Sequence, residues 1–358
     1  MDIVDLLAFS ARNQASDLHL SAGLPPLLRV HGEIRRINLA PLSDQTLRGM
    51  LAGMMTEEQR QRYAARHECD FCFQHAQLGR FRVNAFIQQR GAAAAIRPLA
   101  AAAPRLDAIG APPICADLVM RTRGLLLVTG PTGSGKSTTL AAMLEHINQH
   151  RAAHILTIED PIEVLHESRR SLVSQREIGC HTLCFDSALR AALREDPDVL
   201  LVGELRDAET IRMALTAAET GHLVLATLHT ASAAKTVDRI VDVFPAGERE
   251  TARAMLAESL LAVVSQVLLK KRDGSGRIAA HEVMLCTPAI RNLIREGKTA
   301  QIYSAIQTAA GAGMQTLDAC LQELLHRREI AVECARAHAR SPESVSDRGC
   351  RDVGHGEV

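Results

Sequence analysis

The spacing of apolar and polar positions changes once along this chain, near residue 98. Before that point the segments are short and mixed. Residues 1–15 carry apolar side chains at helical spacing and predict a short amphipathic helix. Residues 16–20 and 27–30 alternate as strands around the Pro25-Pro26 turn, and residues 34–37 continue after the break at His31-Gly32-Glu33. Residues 43–66 are helical in composition. The segment Cys69-Asp70-Phe71-Cys72-Phe73 reads as part of a strand, residues 81–87 alternate like one, and residues 92–97 are expected to pair with the latter. Residues 1–97 therefore predict a small α+β domain.

Residues 98–113 hold Pro98, Pro104, Pro112 and Pro113 among alanines and read as a linker. Beyond them the chain repeats apolar strand, glycine-rich turn and helix. That order predicts an α/β domain over residues 114–339, with a parallel sheet covered by helices on both faces. The strands are placed at 124–129, 154–159, 198–203 and 222–228. Residues 250–270, 287–296 and 314–328 read as closing helices. From residue 340 to 358 the composition turns polar, and a disordered tail is expected.

Composition narrows the functional classes. The 41 basic and 41 acidic residues cancel, and there are two tyrosines and no tryptophan. A broad electrostatic or base-stacking grip on nucleic acid is disfavoured. No apolar run approaches the roughly 18 residues of a membrane-spanning helix, and the acidic start Met1-Asp2-Ile3-Val4-Asp5 lacks the basic opening of a signal peptide. The expectation is a cytoplasmic protein. Nine scattered cysteines suit reduced thiols. A zinc site built from Cys69, Cys72, Cys180 and Cys184 is conceivable, but the two pairs lie far apart in sequence.

The sharpest chemistry is Gly130-Pro131-Thr132-Gly133-Ser134-Gly135-Lys136-Ser137, which fits GxxxxGK[ST] between an apolar strand and a helix-prone stretch beginning at Thr138. The glycines let backbone N–H groups face phosphate oxygens, and the helix N-terminus adds positive potential. Lys136 is expected to reach the β- and γ-phosphates of ATP, and the Ser137 hydroxyl to bind Mg²⁺.

Acidic and histidine residues follow at the ends of later strands. Residues 155–158 end in Glu159-Asp160-Pro161-Ile162-Glu163, where carboxylates can hold a metal or order water. Glu159 and Glu163 are the stronger candidates, while Asp160 reads equally as a solvated residue. The strand from Asp198 ends in Gly203-Glu204, so a glycine stands where an aspartate ordinarily closes such a run. Asp198 lies about 20 Å away along the strand, at about 3.3 Å per residue, so Glu204 is the candidate to polarise water. His222 and His229 bracket the fourth strand. His229, at its carboxyl end, is assigned the sensor role, while His222 reads as a packing, capping or subunit-contact residue. Arginines supplied by a neighbouring subunit can stabilise charge on a transferring phosphoryl group. Arg80, Arg82, Arg90, Arg97, Arg121 and Arg123 are all open for that role on sequence grounds.

Taken together these motifs resemble the secretion-ATPase superfamily, and within it the type IV pilus retraction (PilT) family, over residues 1 to about 335. The resemblance is carried by residues 15–26, the acidic stretch 158–163, the run Gly203-Glu204-Leu205-Arg206-Asp207, the histidine stretch 221–230, and most specifically Ala289-Ile290-Arg291-Asn292-Leu293-Ile294-Arg295, with residues 313–318 in support. It implies a PAS-like N-terminal domain and a RecA-like ATPase domain in a hexameric ring. It also implies that Arg82, Arg97 and Arg123 approach the phosphates, and that hydrolysis drives domain rotations beneath an inner-membrane platform protein at the membrane's cytoplasmic face. The helix with Ala289, Ile290, Arg291, Asn292 and Leu293 would serve retraction rather than hydrolysis. A pilus-assembly or type II secretion ATPase is the alternative, weakened by the lack of a closely spaced four-cysteine element. A weakly hydrolysing accessory ring subunit is another. The alanine-rich residues 100–103 and the final residues depart from the family pattern.

Overall fold

A computed structural model describes residues 2–30 and 32–345. Contacts divide them into two compact units. One runs up to Ala102 and takes in Glu163–Leu165; the other takes in Ala103–Ile162 and the described residues from His166 onward.

The first unit opens with α1 (Ile3–Arg12), whose start is fixed by a capping box between Asp2 and Asp5. Three strands follow, β1 (Asp17–Ser21), β2 (Leu27–Val30) and β3 (Glu33–Arg36). The stretch read as one helical region, 43–66, is two helices, α2 (Asp44–Met54) and α3 (Glu57–Arg66), because Ser43 and Thr56 each cap a new start. Then come β4 (Glu68–His75), β5 (Gly79–Gln88) and β6 (Gly91–Pro98). The antiparallel sheet has the order β3-β2-β1-β6-β5-β4. Leu18, Leu20, Phe81, Val83 and Ile96 point into a core with Leu6, Leu7, Leu47 and Leu51 of the helices. Alternation sends Arg82 and Arg97 to the other face. They are cross-strand partners there, and each is paired, Arg82 with Asp70 at 2.7 Å and Arg97 with Asp17 at 2.8 Å. Cys69 and Cys72 lie on β4 three residues apart, an odd offset that turns their side chains to opposite faces.

The second unit contains α4 (Ile114–Val119), β7 (Gly124–Thr129), α5 (Lys136–His150), β8 (His154–Glu159), β9 (Leu172–Glu177), α6 (Phe185–Ala192), β10 (Val199–Val202), α7 (Ala208–Glu219), β11 (Leu223–Leu228), α8 (Ala233–Asp242), α9 (Arg249–Ser259), β12 (Leu260–Lys270), β13 (Arg277–Leu285), α10 (Pro288–Arg295), α11 (Ile302–Thr308), α12 (Leu317–His326) and α13 (Val332–His338). Its sheet has the order β13-β12-β7-β11-β10-β8-β9, parallel throughout except for β13 at one edge. Alternate residues of β7 serve opposite faces. Leu125 and Leu127 join the core beneath α6 to α10, whereas Leu126 and Val128 pack with Cys115, Leu118, Met143 and Ile147 of α4 and α5. A sheet buried on both faces produces unbroken apolar runs, which is why β7, β8, β10 and β11 stand out in the sequence.

Two corrections follow from the same physics. Residues 250–270 are not one helix: α9 stops at Ser259 and the chain extends at Leu260 into β12. A buried strand and a buried helix are both continuously apolar, and here the pairing with β7 settles for the strand. The tail expected from residue 340 does not begin there. The Arg340 guanidinium lies 4.0 Å from the Tyr303 ring centroid, the Arg340 and Ser341 amides donate to Asp318, and Val345 is buried with Leu321 and Ile330. The remainder of that expectation lies outside the described residues.

Leu127 sits at the centre of the sheet with 0% exposure. Leu127→Ala is expected to destabilise the second unit by about 2–5 kcal/mol, read from its denaturant unfolding transition. A loss well under about 1 kcal/mol would contradict a tightly packed core at that point.

Candidate functional site

The parallel register brings the ends of several strands to one edge. Thr129 of β7 is level with Leu228 of β11 and with Ser265 of β12. Val202 of β10 is level with Ile158 of β8 and with Ala226 of β11. The residues that follow these strands are therefore the glycine-rich loop, His229, Gly203-Glu204 and Glu159-Asp160.

The loop's shape depends on glycine at defined places. Gly130, Gly133 and Gly135 have φ of 144°, 78° and 91°. A side chain on Gly130 would overlap the Gln266 carbonyl oxygen and the Ser134 hydroxyl, whereas nothing lies within 4 Å of a side chain built on Gly133. The loop is closed on its β12 side and open on the other. Gly135 occupies the N-cap of α5 and offers no side chain to the first-turn N–H groups. The Thr129 and Ser134 hydroxyls are buried with no hydrogen-bond partner among the described residues.

Lys136 is buried, and its ammonium donates to the Gly130 and Pro131 carbonyl oxygens at 3.0 Å each. It also stands 3.4 Å from Nδ1 of His229, and the Thr132 hydroxyl is 3.5 Å from the same nitrogen. The other ring nitrogen of His229 is 3.5 Å from Oε1 of Glu204. The second Glu204 oxygen accepts from Arg206, with its closest nitrogen at 2.7 Å. That hydrogen bond, with help from Asp160, raises the Arg206 pKa above its ordinary value. Lys136, His229 and Glu204 thus form a continuous chain of polar contacts. Gly203 is explained as well: a side chain there would come 3.2 Å from the Ile158 carbonyl oxygen and 3.7 Å from the Phe185 ring.

The remaining candidates divide. Glu159 stands at the end of β8, accepting from the Thr157 hydroxyl at 2.7 Å and from Gln175 at 3.2 Å. Ser137 and Thr138 are exposed in the first turn of α5. Asp198 lies at the opposite edge of the sheet, accepting from the His154 amide at 2.9 Å. His222 is also at that edge, its Nδ1 2.9 Å from the last-turn carbonyl of Ala217 in α7, a capping contact. Arg123 is exposed and directly precedes β7, so it too is at the edge remote from the glycine-rich loop. Glu163, Arg82 and Arg97 belong to the first unit. In α10, Ile290 is buried and Leu293 packs on the core, while Arg291 donates to the Cys286 carbonyl at 3.2 Å and pairs with Glu258 at 3.5 Å. Ala289 and Asn292 are exposed on the same helix.

One residue of the site was not anticipated. Gln266 of β12 is 2% exposed; it donates to the Ser134 carbonyl at 2.6 Å and accepts from the Thr139 hydroxyl at 2.9 Å. It ties the loop and the helix after it to the neighbouring strand. The available signal was a glutamine inside an otherwise apolar run, a position polar side chains rarely occupy unless paired. Reading that run as helix hid its register with Thr129.

The glycine cradle, the uncapped helix start, the two orphaned hydroxyls and Lys136 fit the phosphates of a nucleoside triphosphate. Ser137 is the side chain that would ligate Mg²⁺ beside them, and the ion would neutralise charge on the phosphate oxygens. Fold and site define a P-loop ATPase of the secretion class, with a PAS-like unit ahead of a RecA-like one.

Comparison with known proteins agrees. The Type II/IV secretion system protein family matches residues 11–336. The Type IV pilus retractation ATPase PilT of Pseudomonas aeruginosa is 58% identical over 96% of this chain and 100% of that protein. The twitching motility protein of Neisseria gonorrhoeae is 54% identical over 96% of this chain and 92% of its own length. The crystal structure of the pilus retraction motor PilT with bound ADP superposes with a TM-score of 0.89 at 44% identity, covering 96% of this chain and 98% of that one. The chain belongs to the type II/IV secretion system family and, within it, to the PilT family.

Gln266→Ala would strip the Ser134 carbonyl and Thr139 hydroxyl of a buried partner. A cost of about 1–3 kcal/mol is expected, seen as a roughly tenfold rise in the Kd for ADP. Unchanged affinity in titrations with a fluorescent ADP analogue would remove Gln266 from the site.

Proposed function

We propose that this chain is the ATP-hydrolysing motor that powers type IV pilus retraction and twitching motility. The observation that carries the reading is the polar chain from Lys136 through His229 to Glu204 at the mouth of the glycine-rich loop. Lys136 would hold the β- and γ-phosphates of ATP. Glu204 would orient the attacking water and take its proton as the γ-phosphoryl group leaves. His229 touches both, which suits a residue that senses the γ-phosphate. Ser137 would hold Mg²⁺, with water and the phosphates completing its shell. Glu159 and Glu163 are proposed as further acidic residues of the site.

The assembly proposed is a homohexameric ring. The exposed Arg123 lies at the opposite edge of its own sheet, about 20 Å from the loop at about 3.3 Å per residue, so it serves a phosphate only across a subunit boundary. Arg82 and Arg97 are proposed for the same duty. Arg82 pairs with the exposed Asp70 and Arg97 with the buried Asp17, and either would have to exchange that carboxylate for a phosphate. No helix among the described residues is long and apolar enough to cross a membrane. A cytoplasmic location, peripheral to the inner membrane through its pilus platform protein, is part of the proposal.

Glu204→Gln is expected to retain ATP binding and to lower turnover by a factor of about 10² or more, measured as Mg²⁺-dependent phosphate release by the assembled protein. Normal turnover in that variant would place the water-activating role elsewhere. Asn292→Ala tests the α10 surface, because Asn292 is exposed whereas Arg291 and Leu293 also hold the fold. It is expected to leave hydrolysis within about twofold, a surface-level effect, and to abolish twitching zones. Twitching at the wild-type level would assign α10 a purely structural part.

A further inference from the structure

Two thiols share the short loop that joins β9 to α6. Cys180 and Cys184 are both exposed, and Leu183 beside Cys184 is 90% exposed. Cys184 is the N-cap of α6, with its sulfur 3.2 Å from the Ser187 hydroxyl. Hydrogen bonding to Ser187, first its hydroxyl and then its amide, lowers the Cys184 thiol pKa, outweighing the opposing charge of Asp186. Burial does the reverse for Cys115 and Cys286, pushed up to about 12 and about 11. Oxidants attack the accessible thiolate, and among the described cysteines the two exposed ones are on this loop.

The loop is fastened to the candidate site at both ends. The Cys180 thiol donates to one oxygen of Glu177 at 3.3 Å, and the other oxygen accepts from the buried Ile162 amide at 3.0 Å. The Ile178 amide donates to the Glu159 carbonyl at 2.9 Å. At the far end the Phe185 ring lies against Gly203, the residue before Glu204.

We infer that Cys180 and Cys184 are a peroxide-sensitive pair whose disulfide slows ATP hydrolysis. The Cys184 thiolate attacks a peroxide oxygen, the O–O bond breaks, and a sulfenic acid forms as hydroxide leaves. The Cys180 sulfur then displaces the sulfenic hydroxyl, forming the S–S bond and releasing water. Two thiols and one hydrogen peroxide thus yield one disulfide and two waters. The bridge holds the two Cα atoms within about 7 Å of each other and takes both sulfurs from their present partners, Glu177 and Ser187. It draws Cys180 off Glu177 and pulls on the Ile162 anchor and on the Phe185 contact behind Glu204. The effect on turnover rests on the proposed role of Glu204; the bridge itself does not.

The test uses the full chain, reduced and then freed of reductant. One portion is exposed to hydrogen peroxide, alkylated and digested with trypsin, and another is assayed for ATPase activity. Both cysteines fall on the single peptide 177–190. The expected product is that peptide without alkylation and two hydrogens lighter, with activity several-fold lower and restored by dithiothreitol. Cys184→Ser and Cys180→Ser should keep their activity in peroxide. A peptide that remains fully alkylated overturns the inference, as does a bridge that leaves turnover unchanged or an equal loss in Cys184→Ser. A reduced wild type without ATPase activity would count against the motor reading, and the peptide mass would still decide the bridge.

Discussion

The rest of the site depends on strand register. Once β7, β8, β10, β11 and β12 run parallel and in step, the residues after their ends must meet at one edge. Lys136, Glu204 and His229 are distant in sequence, yet their meeting needs no special loop. It follows from Thr129 lying level with Leu228, and from Val202 lying level with Ala226. The same arithmetic removes Asp198 and His222, which sit at the beginnings of their strands. Burial enforces the register, because a slip of one residue would exchange the two apolar faces that cover β7.

Two glycines let this edge close up. At Gly130 the backbone passes so near the Gln266 carbonyl that a side chain has no room. At Gly203 the approach to Ile158 is tight enough to disfavour one. The second case accounts for the irregular end of the β10 run. An aspartate at 203 would sit close against the β8 backbone, and the carboxylate of this run stands one residue later, at Glu204. There it reaches His229 on one side and Arg206 on the other. Arg206 fixes one Glu204 oxygen and His229 lies against the other, so the carboxylate is held in place while remaining only partly covered.

Much of this was legible in the sequence, for a definite reason. A strand buried on both faces has no polar alternation, so β7, β8 and β11 appear as apolar blocks bounded by glycine, proline or charge. The glycine-rich loop carries its own punctuation. Legibility failed where the same apolar blockiness has two solutions. The run through Val263 and Val264 satisfies a helix or a strand, and only its pairing with β7 decides. With that pairing unread, Gln266 had no place in the site. Strands β9 and β13 were not distinguished either: β9 is a half-exposed edge, and β13 is the antiparallel closing strand. Nor could the sequence tell which residues of 289–293 are available to a partner, because Ile290, Arg291 and Leu293 are spent on packing and anchoring while Ala289 and Asn292 are exposed.

The charge balance of the edge bears on the proposal that a neighbouring subunit supplies an arginine. Two cations are placed there by their contacts, Lys136 and Arg206. Lys136 is committed to the loop and Arg206 to Glu204. Phosphoryl transfer spreads negative charge over three γ-phosphate oxygens, and moving Arg206 onto them would release the carboxylate proposed to handle the water. Mg²⁺ held at Ser137 would supply part of the balancing charge, and the proposed trans-acting arginines would add to it. Arg123 is an arginine of the same unit left exposed, yet it is fixed at the far edge of the sheet by the direction of β7. An arrangement in which each subunit presents its remote edge to the next subunit's loop resolves the shortage. It would also make turnover conditional on how neighbouring subunits are placed, as the proposed coupling of hydrolysis to rotation requires.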